Sequence, residues 1–286
     1  MTFLFRTRAE HGLEGLEASI LWDHGCNGVV EEGDELVAWF DEIVTLPLEG
    51  RWETPPVVDY VAHYYAGLEP VRIGRLLIAP THSSVTLNCP ERPLWIDPGM
   101  AFGSGHHDTT VSVLKRLDHE DLEGLRVLDV GAGSGILSIA ADLLGAGSVL
   151  GVDNDAATLP VARANARLNG SSATFMEASL AAFSQTDPFA VDPDSGAELD
   201  WAQTKAVPVL SPGEPFDLIL ANLFAELHRV LAPAYRAHLS ESGLLIASGI
   251  LQEQGEAAEA ALSGHFTVEE RLIEGDWITL VARPKV

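Results

Sequence analysis

Cysteine is scarce in this chain of 286 residues, and long apolar runs are missing from it. The two cysteines, Cys26 and Cys89, form no Cys-x-x-Cys pair and have no metal-ligand cluster around them, so they are expected to be free thiols in a reducing compartment. No apolar stretch approaches the roughly 20 residues of a membrane span. The first residues show no basic-then-apolar signal pattern. These absences predict a soluble, cytoplasmic protein.

Basic residues are also few. The chain has 17 lysines and arginines against 42 aspartates and glutamates, a formal net charge of −25 at pH 7. A chain this acidic offers no electrostatic surface for a phosphate backbone, so direct nucleic-acid binding is not expected. Basic partners are expected instead. The acidity is equally well explained by solubility or by the habit of the source organism. It therefore disfavours an RNA or DNA substrate without selecting a protein substrate.

The most informative segment runs from Val127 to Asp153 and predicts a β-α-β unit. An apolar strand enters a glycine-rich turn, an amphipathic helix follows, and a second apolar strand ends on Asp153. In chain order the elements are the strand Val127 to Val130, the turn with Gly131, Gly133 and Gly135, the helix Ile136 to Leu144 and the strand Val149 to Val152. Such units bind nucleotide-type cofactors in open α/β sheets.

The turn and the acid after it favour one class of cofactor. Glycines allow positive φ and close approach to a ligand, the amides at the helix start are expected to be free to donate, and Asp153 is placed to accept from both ribose hydroxyls. A dinucleotide site needs Gly-x-Gly-x-x-Gly, but Ile136 stands where the third glycine would be. The pattern present, Asp129-x-Gly-x-Gly-x-Gly, resembles the first motif of S-adenosylmethionine-dependent methyltransferases. The alternative is a turn that merely links a strand to a helix.

A second glycine-rich segment, Asp97 to Thr110, reads Asp-Pro-Gly-Met-Ala-Phe-Gly-Ser-Gly-His-His-Asp-Thr-Thr. It predicts a loop that leads into a helix from about Thr109 to Leu117, with Asp108 or Thr109 as the N-cap. Such a loop can fold over a bound ligand, with Phe102 covering the ligand and the threonine hydroxyls bonding to it.

The adjacent pair His106-His107 in this loop raises the question of a metal site. Adjacent side chains rarely converge on one ion, and no carboxylate partner is obvious, so no metal is expected. A neutral histidine that lines a substrate channel is the preferred interpretation.

Asn222 ends a strongly apolar strand that begins at Phe216. In open α/β sheets the carboxyl ends of strands bind ligands, so Asn222 is a candidate contact. A capping role for the next helix, Glu226 to Leu239, is the alternative, and the two roles can coexist.

A closing hairpin at Gly275-Asp276 is expected to place the last strand antiparallel in the sheet.

The chain is predicted to have three parts. Residues 1–50 form a small α+β unit that recognises a partner, or is simply a structural extension; its strands are expected at Phe3 to Arg8, Gly28 to Glu31, Glu35 to Phe40 and Ile43 to Leu48. Residues 51–90 form a linker with one short helix, Val57 to Gly67, and residues 91–286 form the catalytic part. Within that part, Ala178 to Glu214 is an insertion rich in Pro, Asp and Ser, for which disorder is favoured over a lid.

Taken together, the loop Asp97 to Thr110, Leu128-Asp-Val-Gly-Ala-Gly-Ser-Gly and Ala221-Asn-Leu-Phe-Ala-Glu-Leu-His resemble the ribosomal protein L11 methyltransferases, the PrmA type. The loop motif is the specific part, because the glycine turn alone is shared by very many methyltransferases. The resemblance is clear over Leu94 to Val286. It implies an α/β fold: a seven-stranded, Rossmann-like class I methyltransferase domain, preceded by a small α+β domain and a linker helix.

The resemblance also implies S-adenosylmethionine as the cofactor and assigns a set of site residues. In this chain's numbers the cofactor-binding residues are Phe102, Gly103, Thr109, Thr110, Asp129, Gly131, Gly133, Gly135, Asp153 and Asn222, and the catalytic residues are Asn222 and Phe224. Ser104 replaces the usual loop threonine, and the insertion is longer than the family pattern. Many amino-methyltransferases carry Asn-Pro-Pro-aromatic where this chain has Asn222, Leu223 and Phe224, which fits a more accommodating site.

The implied function is S-adenosylmethionine-dependent protein N-methylation, at Lys side-chain and/or N-terminal amines of ribosomal protein L11. The amine must be neutral to expose its lone pair, and the Asn222 carbonyl is an acceptor for its protons. A small-molecule or rRNA methyltransferase on the same fold is the alternative, and the net charge argues against RNA. A third interpretation, a cofactor-binding regulator without catalysis, is opposed by Asn222 and the intact loop.

Overall fold

A computed structural model of the chain describes residues 3–9, 12–54, 69–81, 92–97, 105–181 and 207–285. Three predicted features therefore lie outside the described residues: the linker helix at 57–67, the loop residues Phe102 and Gly103, and the middle of the insertion, 182–206. The chain divides into two compact units, residues 1–64 and 65–286. None of the helices in the described ranges has the length and apolar character that crossing a membrane would require.

The first unit is an antiparallel sheet packed against one helix. Its strands are β1 (Phe3–Arg8), β2 (Gly28–Glu32), β3 (Glu35–Phe40) and β4 (Gly50–Glu53), in the spatial order β2-β3-β1-β4, and the helix is α1 (Leu16–Asp23). Alternate residues of β3 enter the core, as the two-residue period of a strand requires. They pack with buried residues of α1; the residues concerned are Leu36, Ala38, Phe40, Ala18 and Leu21.

The strand predicted at Ile43 to Leu48 is wrong, because the fourth strand lies further along, at β4. Alternate apolar residues of this segment do pack against the core, which explains the misleading pattern; they are Val44, Leu46 and Leu48. Pro47 removes a backbone donor from the middle of the segment. Trp52 of β4 contacts Phe5 and Phe40 instead, with ring centroids 5.0 and 5.2 Å apart.

Residues 71–96 contribute a small sheet to the second unit. Its strands are β5 (Val71–Ile73), β6 (Leu76–Pro80) and β7 (Arg92–Ile96); β5 is antiparallel and β7 parallel to β6. These strands supply buried residues to a core shared with the helix α2 (Asp108–Asp118). The predicted linker boundaries therefore differ from the structure: β4 pairs within the first unit, whereas β5 and β6 are core elements of the second.

A seven-stranded sheet lies at the centre of the second unit, in the order β10-β9-β8-β11-β12-β14-β13. The strands are β8 (Arg126–Val130), β9 (Ser148–Asp153), β10 (Thr174–Glu177), β11 (Phe216–Asn222), β12 (Leu239–Leu251), β13 (Phe266–Glu274) and β14 (Trp277–Pro284). The first five are parallel, and β14 is antiparallel to both β12 and β13. The prediction of an α/β fold with a mostly parallel sheet and an antiparallel last strand is confirmed.

Helices cover both faces of this sheet. Within the described ranges the remaining α-helices are α3 (Ile136–Leu143), α4 (Leu159–Leu168), α5 (Ala225–His238) and α6 (Gly255–Leu262). Consecutive residues of a strand enter opposite cores, as for Leu218 and Ile219 of β11. One core contains residues of α2, α3 and α4, and the other contains residues of α5 and α6. Burial on both faces explains why these strands are continuous apolar runs in the sequence.

Two asparagines, one in α4 and one directly after it, attach β7 to the second unit. The Asn165 side chain accepts from the Asp97 N–H (3.0 Å) and donates to the Asp97 carbonyl (3.0 Å) and the Ser134 carbonyl (2.9 Å). Asn169 pairs with the N–H and C=O of Trp95 at 2.8 and 2.7 Å. Each amide thus satisfies backbone groups that a neighbouring strand would otherwise satisfy.

The described ends of the insertion close on each other. The Ser179 N–H donates to the Pro208 carbonyl (2.9 Å), and the Leu210 N–H donates to the Ser179 carbonyl (2.8 Å). The insertion therefore leaves and re-enters the sheet layer at one point, between β10 and β11.

Candidate active site

The carboxyl ends of four parallel strands meet at one edge of the sheet. Asp153 ends β9 and Asn222 ends β11, and Asn222 pairs in register with Ser248 of β12. Val130, the last residue of β8, pairs with both of its neighbouring strands just before those ends. Open α/β sheets bind ligands at this edge, and both Asp153 and Asn222 lie there.

The glycine turn after β8 has the backbone that its sequence predicts. Gly131, Gly133 and Gly135 have φ of 76°, 52° and 81°, in the left-handed region that favours glycine. A Cβ at position 131 would collide with the Leu223 side chain, and one at position 135 would press on the Phe175 ring. The missing Cβ atoms therefore allow Leu223 and Phe175 to pack directly against the backbone of the turn.

Two carboxylates use amides that the sequence analysis expected to be free. The Gly133 N–H donates to Asp153 Oδ2 (2.8 Å), and the Asp155 N–H donates to Asp153 Oδ1 (3.0 Å). The Ser138 N–H and hydroxyl donate to Asp129 Oδ2 at 3.0 and 2.6 Å. The expectation of free amides is therefore wrong at Gly133 and Ser138, because carboxylates near a helix start are favourable partners for them.

Asp129 is buried, with 1% of its surface exposed. Its Oδ1 has no hydrogen-bond partner among the described residues. Burial raises the pKa of Asp129 from the ordinary value of 3.8 to about 6; the Ser138 hydrogen bonds act in the opposite direction, and the nearby charge of Asp153 adds to the rise. An unpartnered buried acceptor is rare in folded proteins and indicates a place for a donor that the described residues do not supply.

Asn222 is bonded to the first turn of α2. Its Nδ2 donates to the hydroxyls of Thr109 (3.1 Å) and Thr110 (3.4 Å), both of which are buried. The side-chain carbonyl oxygen, Oδ1, lies at the opposite end of the amide and takes no part in these two bonds. The N-cap of α5 is Phe224, and no side chain caps that helix, so the alternative that Asn222 caps it is wrong.

The N-cap predicted for α2 is also wrong. The helix begins at Asp108, and its N-cap is His107, whose ring nitrogen accepts from the Thr109 N–H (3.3 Å) and lies 2.8 Å from the Thr109 hydroxyl. A histidine cap is difficult to predict because Asp and Thr are the usual caps. His106 bonds the Glu69 carbonyl instead (2.7 Å), so the two adjacent rings have different partners. Within the described ranges no group of three His, Cys, Asp or Glu residues could hold a metal ion.

Phe224 follows this edge and has 72% of its surface exposed. An aromatic ring so exposed beside a buried polar site is available to contact a ligand or partner. Of the predicted site residues, the structure therefore brings together Thr109, Thr110 and Asn222 on one side, and Asp129, the glycines and Asp153 on the other.

The sequence analysis missed a buried hydroxyl network behind Asn222. The Ser248 hydroxyl lies 3.3 Å from the Thr109 carbonyl and 2.8 Å from the Thr279 hydroxyl, which lies 2.8 Å from that of Ser112. A signal existed: Ser248 and Thr279 are isolated polar residues inside apolar strand runs. Such residues are usually bonded to one another when buried.

A mostly parallel sheet with an antiparallel β14, a left-handed glycine turn after β8 and an acid at the end of β9 together define a class I methyltransferase, an enzyme class that uses S-adenosylmethionine. The chain belongs to the family described as ribosomal protein L11 methyltransferase (PrmA), whose model matches residues 34–285. The family predicted from the sequence motifs is confirmed.

Individual relatives agree with this assignment. Ribosomal protein L11 methyltransferases of Deinococcus radiodurans and Thermus thermophilus are 38% and 39% identical to the chain; the matches cover 98% and 96% of it and 96% and 97% of the relatives. The crystal structure of a ribosomal protein L11 methylase from Lactobacillus delbrueckii subsp. bulgaricus matches with a TM-score of 0.62 and 31% identity. That match covers 77% of this chain and 100% of the other.

The raised pKa of Asp129 predicts a stability that depends on pH. The folded protein holds this proton more tightly than the unfolded chain, so the carboxyl destabilises the folded state as pH rises from about 4 to above 6. Asp129→Asn removes this penalty. The free energy of unfolding of the variant, relative to the unchanged protein, should rise by up to about 3 kcal/mol over that range, at roughly 1.4 kcal/mol per pKa unit. Urea unfolding at several pH values measures it, and a constant difference would contradict the raised pKa.

Proposed function

We propose that the protein transfers methyl groups from S-adenosylmethionine to amines of ribosomal protein L11, at lysine side chains, the N-terminus or both. Family membership and the names of the relatives support the reaction and the substrate. The observation that carries the proposal is the Asn222 amide, bonded to Thr109 and Thr110 at the same strand edge as the glycine turn. A ribosomal substrate agrees with the cytoplasmic location that the scarcity of cysteine indicates.

The residues at this edge fit the cofactor. Asp129 Oδ1 is a buried acceptor without a partner among the described residues, and three of the five turn residues, Gly131 to Gly135, are glycines without side chains. Two amides occupy part of the Asp153 carboxylate, and a carboxylate can accept about four hydrogen bonds, so capacity remains for a ribose. We assign cofactor contacts to Thr109, Thr110, Asp129, the three glycines, Asp153 and Asn222, and, from the sequence alone, to Phe102 and Gly103. When bound, S-adenosylmethionine supplies an electrophilic methyl group on a sulfonium centre.

Asn222 and Phe224 prepare the acceptor amine. The Asn222 carbonyl accepts a hydrogen bond from the amine and orients its lone pair, because the threonines hold the other end of the amide. The exposed Phe224 ring beside it offers an apolar surface, and desolvation there favours the neutral amine over the ammonium ion. These two residues therefore bind the nucleophile and keep it in its reactive protonation state.

The N-terminal unit, residues 1–64, recognises the protein substrate, and the second unit, residues 65–286, carries the catalytic site. In and next to α1 it exposes three large apolar side chains, Leu13, Leu16 and Trp22. Exposed apolar groups of this kind on a small domain suit a protein partner. The net charge of −25 suits a basic partner.

Removal of the Asp153 carboxylate should weaken cofactor binding. Charge-assisted hydrogen bonds contribute about 1.5–3 kcal/mol each, so Asp153→Ala should raise the Kd for S-adenosylmethionine by at least about tenfold in titration calorimetry. Asp155→Ala is the matched control: its exposed carboxylate bonds the Ala157 N–H (2.8 Å), outside the turn. An unchanged Kd in Asp153→Ala would remove this residue from the site.

Incubation of purified ribosomal protein L11 with this protein and S-adenosylmethionine should add one CH2 unit of mass per methyl transferred, as measured by intact-mass spectrometry. Asn222→Ala should slow the transfer at least about tenfold through misplacement of the amine, with a smaller effect on cofactor affinity; the exposed Asn154→Ala serves as control. No mass change, with cofactor binding confirmed separately, would reject L11 as substrate and direct the search to small molecules and RNA.

Substrate recognition by α1 predicts a selective effect on KM. Leu16, with 72% of its surface exposed, contributes apolar contact area in this proposal, so Leu16→Gln should raise the KM for L11 by about tenfold and leave the Kd for S-adenosylmethionine unchanged. Leu168→Gln makes the same change at a half-exposed leucine of α4 in the other unit and should alter neither constant. Equal KM values in the two variants would refute recognition through α1.

A further inference from the structure

We propose that His228 is a positioning residue for methyl transfer, which fixes the peptide of Leu223 and thereby sets the places of Asn222 and Phe224 on either side of it. The proposal rests on the function proposed above. His228 belongs to the Ala221–His228 sequence motif, but neither the motif nor the cofactor chemistry gives it a task.

The His228 ring is fully buried in α5 and contacts two backbone carbonyls. Its Nε2 lies 2.8 Å from the Ser248 carbonyl oxygen and 3.1 Å from the Leu223 carbonyl oxygen. Carbonyl oxygens only accept, so Nε2 must carry the proton. Nδ1 lies 3.2 Å from the Tyr235 hydroxyl and accepts from it. One neutral tautomer therefore satisfies every one of these contacts.

Burial keeps the ring in this neutral form. The pKa of His228 is lowered chiefly by desolvation, and the hydrogen bonds to Ser248 and Leu223 only partly offset this. The ring consequently acts as a fixed donor to the two carbonyls.

The main chain of Leu223 is held by several contacts at once. Its N–H donates to the Ser248 carbonyl (3.0 Å), and its C=O accepts from His228. Gly249, at a φ of 83°, packs against the same peptide so closely that a Cβ would collide with the Leu223 carbonyl. The Leu223 side chain in turn packs against Gly131 of the cofactor turn. The residue between Asn222 and Phe224 is thus fixed through both its main chain and its side chain.

This arrangement supplies a rigidity that the local sequence lacks. A proline fixes φ through its ring, but positions 223 and 224 are leucine and phenylalanine. Their φ angles are therefore restrained only by what packs around them. Since Asn222 must hold an amine in line with a methyl donor, a displacement of about 1 Å is enough to cost up to about a hundredfold in rate. His228 restrains the carbonyl of Leu223, and the Ser248 carbonyl restrains the N–H of Leu223.

His238 provides a matched control on the same helix. It is also buried, with 4% of its surface exposed, and its ring nitrogens lie 2.8 and 3.1 Å from the carbonyls of Ala234 and Leu210. Neither carbonyl belongs to the Asn222–Phe224 segment. A histidine that merely stabilises α5 should therefore behave alike at positions 228 and 238.

The experiment compares full-length His228→Leu, His228→Gln and His238→Leu. Steady-state methylation of L11 gives kcat and KM, calorimetry gives the Kd for S-adenosylmethionine, and urea unfolding gives stability. His228→Leu should lower kcat about tenfold to a hundredfold with the Kd for cofactor unchanged. His228→Gln, which retains a donor near the Nε2 position, should recover most of kcat. His238→Leu should lose stability but retain kcat.

Amide hydrogen exchange at Leu223 provides a readout that does not depend on the substrate. Beyond any acceleration that the measured loss of global stability explains, His228→Leu should accelerate exchange of the Leu223 N–H and His238→Leu should not, even if L11 proves not to be the substrate. Failure of the unchanged protein to methylate L11 would overturn the proposed function and leave the exchange result to decide the positioning role. Equal exchange at Leu223 in all variants, or an equal loss of kcat at positions 228 and 238, would overturn the role of His228.

Discussion

The hydrogen bonds from Asn222 to Thr109 and Thr110 join segments that are 113 and 112 positions apart in the chain, and the rest of the site depends on this junction. It requires β11 to end at the level where α2 begins, and the parallel register of β11 with β8 and β12 sets where β11 ends. Asn222 has no such partner in its own neighbourhood, because the cap of α5 is Phe224. A local sequence element thus acquires its chemistry from a non-local contact.

Several buried side chains at the carboxyl edge of the sheet are polar, whereas the cores on both faces of the sheet are apolar. A buried polar group costs about 1–3 kcal/mol when it is unpaired, so each group here must find a partner among the others. Ser248 shows how the condition is met: its carbonyl accepts from Leu223 and His228, and its hydroxyl bonds Thr279 and lies near the Thr109 carbonyl. Asp129 Oδ1 is the exception at this edge, because it has no hydrogen-bond partner among the described residues.

The elements that could be predicted from the sequence are those whose cause is local. The glycines at 131, 133 and 135 require positive φ wherever they occur, and the apolar run ending at Asn222 is a strand because both of its faces are buried. The errors arose where tertiary contacts overrode local patterns. Alternate residues at 43–48 pack on the core from a segment that is not a strand. His107 caps α2 in preference to its acidic neighbour.

The role proposed for His228 could not be predicted because the acceptors of its Nε2 N–H are main-chain carbonyls. A motif search identifies side chains that carry chemistry, whereas the acceptors of His228 exist only once β12 and the Asn222 segment are side by side. The same reasoning applies to Asn165, whose three partners are backbone groups of Asp97 and Ser134. Sequence motifs therefore indicate candidate ligand contacts more readily than they indicate the residues that hold those contacts in place.

The strong acidity of the chain creates a chemical conflict that the site geometry resolves. A basic substrate is attracted by negative charge, yet a carboxylate beside the reacting amine would raise the pKa of that amine and hold it as unreactive ammonium. Among the described residues, the hydrogen-bond partners of the Asn222 amide are the hydroxyls of Thr109 and Thr110 rather than carboxylates. The two acids near the turn are restrained as well, because amides occupy part of Asp153 and burial raises the pKa of Asp129. Long-range attraction by the acidic surface and local deprotonation of the amine can therefore operate in the same molecule.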